Sequence, residues 1–143
     1  MRTLLAVLVL LAAPSIALAD STLVFDGEVP AEGDYFEIAF EVPAGTAEVE
    51  VRHDDLSEAN ILDWGLFDTA GFRGYGGGNT EPAIVNADAA SRSYLPGPVE
   101  AGTWRVYVGK AKIDEPPGSY HVEILLRDAA SALTIAGSVL PPP

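Results

Sequence analysis

The sequence predicts an all-β protein, an antiparallel β-sandwich of about seven to eight strands. Three observations carry that expectation. Apolar residues recur at every second position in one segment after another, the period of a strand with one buried face. Clusters of Gly and Pro separate those segments at short intervals. Beyond the first residues, no stretch has the apolar period of a surface helix. A jelly-roll arrangement of similar strands is the alternative. The pattern does not yield strand order, and no internal repeat is visible.

The chain opens with an export signal. Arg2 supplies a positive start, Leu4 to Ala13 an apolar run, and Ala17-Leu18-Ala19 an Ala-x-Ala cleavage site before Asp20. The run is too short to span a bilayer and is broken by Pro14. Residues 1–19 are therefore read as a cleaved signal peptide, with a secreted or periplasmic product and no membrane anchor.

Residues 20–128 form the sandwich domain. Thr22 to Asp26 is the first strand. In Tyr35 to Val42, the residues Phe36, Ile38, Phe40 and Val42 alternate with Tyr35, Glu37, Ala39 and Glu41. Pro43-Ala44-Gly45-Thr46 turns the chain. The third strand sets Ala47, Val49 and Val51 against Glu48, Glu50 and Arg52, whose acidic face is expected to be solvated. A loop runs from His53 to Asn60. Ile61 to Asp68 is apolar at nearly every position and reads as buried on both faces. Gly71 to Gly78 reads as a glycine loop, followed by a short strand, Ala83 to Ala87. Gly102 to Ile113 points Trp104, Val106 and Val108 inward, and Ser119 to Arg127 does the same with Tyr120, Val122, Ile124 and Leu126. Residues 129–143 are small, apolar and end in Pro141-Pro142-Pro143, which reads as an extended tail or linker.

The chain carries 21 acidic and 8 basic residues, a formal charge of −13. That balance argues against nucleic acids and anionic membranes as partners, since both need clustered Lys and Arg. It is compatible with calcium, a salty environment or simple solubility. No cysteine is present. Disulfides, a thiol nucleophile and a lipid anchor are thereby excluded, and a prokaryotic exported setting fits.

Few residues suit chemistry. His53 and His121 share no metal-ligand spacing and read as surface histidines. No Gly-x-Ser-x-Gly elbow exists. Asp54, Asp55 and Glu58 make an acidic loop, a candidate for Ca²⁺ without the spacing of an EF-hand. Gly74-Tyr75-Gly76-Gly77-Gly78 lacks the following helix and the lysine of a phosphate loop, so nucleotide binding is not expected. Asp63 sits in an apolar strand and must find partners, either loop amides or a ligand. Arg73 and Tyr75 project from the glycine loop as candidates for contact with a neighbouring domain or ligand. Pairing with an acid is the default for Arg73.

One series of motifs resembles a known family. Asp63-Trp64-Gly65-Leu66-Phe67-Asp68, then Gly71-Phe72-Arg73-Gly74-Tyr75 with Gly77-Gly78, then Tyr94-Leu95-Pro96-Gly97-Pro98 and Ala101-Gly102-Thr103-Trp104 up to Gly109, appear in order. The series is similar to the N-terminal β-sandwich of CehA/McbA-type (carbaryl-hydrolase-like) metallohydrolases of the polymerase-and-histidinol-phosphatase (PHP) superfamily. Two positions depart: Tyr75-Gly76 stands where that family often has Trp-Ser, and Ser91-Arg92-Ser93 where it has a Thr-Pro-Gly-like turn. The family's metal-binding His-x-His lies in a following catalytic domain, and no such motif occurs here. The resemblance therefore implies an exported, non-catalytic accessory domain, truncated or split from its catalytic domain. It implies no catalytic, metal or cofactor residue in this chain, a divalent metal in the missing domain, and that domain as partner in cis or trans. A weaker resemblance is to bacterial pre-peptidase C-terminal domains, through Val42-Pro43-Ala44-Gly45, Asp63 to Leu66 and Gly102-Thr103-Trp104. It implies the alternative of a stand-alone exported module binding Ca²⁺ or carbohydrate.

Overall fold

A computed structural model describes residues 19–131. Most of the expected signal peptide and most of the expected tail lie outside these residues. Eight strands follow in order: β1 (Ser21–Glu28), β2 (Tyr35–Val42), β3 (Glu48–Asp54), β4 (Ile61–Phe67), β5 (Phe72–Gly77), β6 (Ala83–Asn86), β7 (Gly102–Lys112) and β8 (Ser119–Arg127). They form two antiparallel sheets, β1-β8-β3-β6 and β2-β7-β4-β5. Pairing joins β1 to β8, β2 to β7, β3 to β6 and β4 to β5. Those nested pairs are one long hairpin rolled on itself, the jelly-roll form of the sandwich.

The inward faces meet as the period-2 pattern requires. Val49, Val51, Val85, Val122, Ile124 and Leu126 come from the first sheet. Ile38, Phe40, Leu62, Trp64, Leu66, Trp104, Val106 and Val108 come from the second. β2 and β8 have the bounds their alternation predicts.

Three expectations are corrected. The glycine loop is a strand, because β5 pairs with β4 through two register shifts. Glycine gives no side-chain alternation to read, yet it admits close approach. A Cβ on Gly74 would sit 2.6 Å from Cα of Tyr94. β4 is not buried on both faces: Ile61 is exposed, Asp63 and Phe67 are half-buried, and only Leu62, Trp64 and Leu66 enter the core.

The third correction concerns β3. Its acidic face is not solvated: Glu48 is fully buried and Glu50 nearly so. β3 lies inside its sheet, between β8 and β6, so its neighbours bring Arg127 and Asn86 opposite Glu48. The Glu48 carboxylate accepts hydrogen bonds from Arg127 Nη1 (3.0 Å), Asn86 Nδ2 (2.9 Å) and both N–H and Oγ of Ser131 (3.0 Å each). Glu50 pairs with Arg127 at 2.5 Å and Arg52 at 2.6 Å. Burial alone raises the Glu50 pKa, but these two guanidinium groups outweigh it and hold it below the ordinary 4.5.

Removing one member of such a network strands the others in a dry site. Glu48→Ala is expected to lower unfolding free energy by about 3–5 kcal/mol in urea denaturation. A loss below 1 kcal/mol would mean that water reaches Arg127 and Asn86 freely.

Candidate functional site

The loop proposed for calcium is committed to its own backbone. Asp54 Oδ1 accepts the N–H of Leu56 at 2.7 Å, where Leu56 takes φ 54°. Asp55 faces the N–H of Leu62, and Ser57 Oγ accepts from the amides of Ala59 (3.0 Å) and Asn60 (3.1 Å). Asn60 bridges to the Glu115 backbone as donor and acceptor. Asp54, Asp55 and Glu58 do not converge, and no cluster of three or more His, Cys, Asp or Glu able to hold a metal occurs among the described residues.

His53 departs from the surface reading. Its ring stacks on Trp64, with centroids 4.5 Å apart and planes 15° apart. Together with Asp54, Asp55, Asn79 and Thr80 it lines a cleft of about 190 Å³. Burial pushes its pKa down to about 4, against the opposing pull of Asp54 and Asp55. His121 lies outward on β8 with Nδ1 2.5 Å from Asp26, and that hydrogen bond raises its pKa.

Arg73 does not project. It is 6% exposed and binds four groups at once. Nε donates to the Leu95 carbonyl (2.8 Å), Nη1 to the Pro98 carbonyl (2.8 Å) and to Asp68 Oδ2 (2.9 Å), and Nη2 to the Gly97 carbonyl (2.7 Å). Its guanidinium also lies 5.4 Å from the Trp104 ring centroid. The rigid fork of guanidinium donors suits such a site as a lysine would not. Gly97, at φ 151°, brings its backbone to the guanidinium. Asp68 also accepts from the amides of Ala70 and Gly71, closing the β4–β5 turn.

Asp63 and Tyr75, the other two proposed contacts, come together on the outer face of the second sheet. The Tyr75 hydroxyl donates to Asp63 Oδ2 at 2.7 Å. Partial burial, then Asp63, pushes the Tyr75 pKa up to about 12, so the hydroxyl keeps its proton. Around them lies an aromatic surface that sequence reasoning missed. Tyr35 stacks on Tyr107 at 5.1 Å and 24°, and Tyr75 meets Tyr107 at 6.0 Å and 62°. Phe67 contacts Tyr107 at 6.4 Å and Phe72 at 5.8 Å, while Arg105 lies 5.3 Å over Phe67. Tyr35 is 55% exposed, Phe72 57% and Tyr75 43%. The available signal was parity: Tyr35 and Tyr107 sit at the outward positions of strands whose other residues alternate cleanly.

A second cleft, of about 460 Å³, opens between the β1–β2 connection and the β7–β8 turn. Val29, Pro30, Ile113, Pro116 and Pro117 line it, and its Lys110 is engaged by the Pro30 and Glu32 carbonyls. No protein-family model matches the chain, and no curated protein matches it.

Two outcomes follow from this geometry. Arg73→Met is expected to cost about 3–5 kcal/mol in chemical denaturation, because Asp68 and three carbonyls lose their donor. His53 binds its proton less readily folded than unfolded, so its contribution is complete above pH 6.5 and disappears as pH falls toward 4. The loss across that window is of the order of 2–3 kcal/mol. It should be absent in His53→Phe, as read by thermal melting across pH.

Proposed function

We propose that the chain is an exported, non-catalytic accessory module whose working surface is the outer face of β2-β7-β4-β5. The observation that carries this reading is the array of aromatic rings on that face, three of them more than 40% exposed. Large apolar groups held outward on a rigid sheet cost solvation in isolation and are typical of recognition surfaces. The motif series that resembles CehA/McbA-type metallohydrolases makes a PHP-type catalytic domain, in cis or trans, the partner this reading implies. The divalent metal would belong to that domain.

A second reading is a stand-alone binding module, and one observation favours its carbohydrate form: the exposed rings lie beside hydrogen-bonding carboxylates. Against its calcium form, no group of three or more metal-ligating side chains converges in this loop among the described residues. The jelly roll hosts lectins among other proteins and by itself decides nothing.

Incubating the purified chain with Zn²⁺ or Mn²⁺ and phosphoester or carbamate substrates is expected to give no turnover, and sustained hydrolysis would overturn the accessory reading. Calcium is expected to leave the melting temperature unchanged.

A further inference from the structure

We propose that β1 is a pairing edge for a second copy of this chain, joined strand to strand about a two-fold axis. The two flanks of the sandwich differ. On one flank, residues 89–95 cover both outer edges. Beside β6, the Ser91 amide donates to the Ile84 carbonyl (2.8 Å) and the Asn86 amide to that of Ala89 (2.9 Å). Beside β5, the Leu95 amide donates to the Arg73 carbonyl (2.9 Å) and the Tyr75 amide to that of Ser93 (3.1 Å). On the other flank, β1 pairs with β8 and β2 with β7, and neither outer edge meets a further strand among the described residues. Alternate amides and carbonyls along β1 thus point outward, a row that another extended strand matches.

β1 lacks the devices that keep an edge solitary. Ser21 to Phe25 carries no charge, the strand has no Lys or Pro, and its register with β8 runs without a bulge. Its inward side chains are also incompletely covered. Leu23 and Phe25 lie opposite Ile124 and Val122, which are fully buried, yet remain half-buried themselves. On β2, the inward Ile38, Phe40 and Val42 are already buried. A strand added beside β1 therefore completes an apolar layer, whereas one added beside β2 covers little more.

The sequence of β1 fits itself. In an antiparallel pair, a residue that bonds across the seam faces another that does so, and these recur at every second position. A two-fold axis at Val24 meets that condition along the whole strand. Leu23 of one copy then faces Phe25 of the other, Thr22 faces Asp26 and Ser21 faces Gly27. Val24, 53% exposed, faces Val24. No like charges oppose each other from Ser21 to Gly27, and the inward apolar pair is made twice. Asp26, the acid within that span, is already engaged by His121 at 2.5 Å. The stretch thus suits an uncharged, apolar partner strand better than a basic one. Pairing joins the β1-β8-β3-β6 sheets of two copies into one continuous sheet with an isologous seam.

The test is sedimentation velocity of the purified chain over a series reaching millimolar protein. A reversible dimer dissociating in the micromolar range is expected, because a single strand pair is a small interface. Val24→Asp sets carboxylates against each other at the axis and should weaken the dimer by about tenfold. Melting temperature checks that this exposed substitution leaves the fold intact. The chain has no cysteine, so Val24→Cys introduces a single thiol. Mild oxidation should link it into a covalent dimer faster than Leu95→Cys, which lies on the covered flank. The proposal is overturned if the chain stays monomeric throughout the series, which would leave the edge to an extended segment of another protein. It is equally overturned if Val24→Asp leaves the dimer unchanged, or if Leu95→Cys links as readily as Val24→Cys. Oligomeric state and the hydrolysis assay are independent readouts, so neither failure implies the other.

Discussion

The buried guanidinium of Arg73 ties together three segments at one corner of the second sheet. It joins the β4–β5 turn through Asp68, the 95–98 crossing through three carbonyls, and the start of β7 through Trp104. Each of those carbonyls would otherwise be a polar group turned into a poorly hydrated corner, where an unmet acceptor is expensive. β5 depends on this corner. It is the edge strand of its sheet, rich in glycine and paired to β4 with two shifts, so its own ladder holds it weakly. The Leu95 amide bonds back to the Arg73 carbonyl at 2.9 Å, and the Tyr75 amide to Ser93 at 3.1 Å, supplying what the strand lacks. Because β5 carries Tyr75 and Phe72, the outer aromatic face is positioned by a cation buried on the other side of the strand.

How much of this was legible follows from where the determining contacts lie. β2 and β8 were readable because each carries its own pattern, an apolar side chain at alternate positions along a single segment. Trp104 as core was readable for the same reason. β5 was hidden because glycines have no side chain to alternate. The fate of Glu48 was hidden because its partners, Arg127 and Asn86, lie far along the sequence and meet it only through strand order. Strand order is a property of the whole chain and leaves no local trace.

The outer face was partly legible. Asp63 and Tyr75 stood out singly, one as a carboxylate in an apolar strand and the other as a ring among glycines. Their direct hydrogen bond joins two separate anomalies into one feature. Tyr35 and Tyr107 give no signal in the sequence, because a tyrosine at a strand's outward position is ordinary. What distinguishes them is adjacency across β2, β7, β4 and β5, which register alone creates. The motif residues divide the same way: Asp68, Arg73, Gly97 and Trp104 build the corner, whereas Asp63 and Tyr75 lie on the outer face.

The rolled hairpin also has a kinetic side. Because β1 pairs with β8, the first strand made waits for the last. Contacts spanning nearly the whole chain carry a large loop-closure cost and slow folding. A chain delivered from its N-terminus, by a ribosome or through a narrow pore, can complete the β2-β7-β4-β5 sheet once β7 has emerged, but cannot close the β1-β8-β3-β6 sheet until Arg127 follows. β1 stays unpaired until then. The connectivity that makes the finished domain compact thus keeps it threadable during delivery, and concentrates its exposure to misassembly in the moments before β8 arrives.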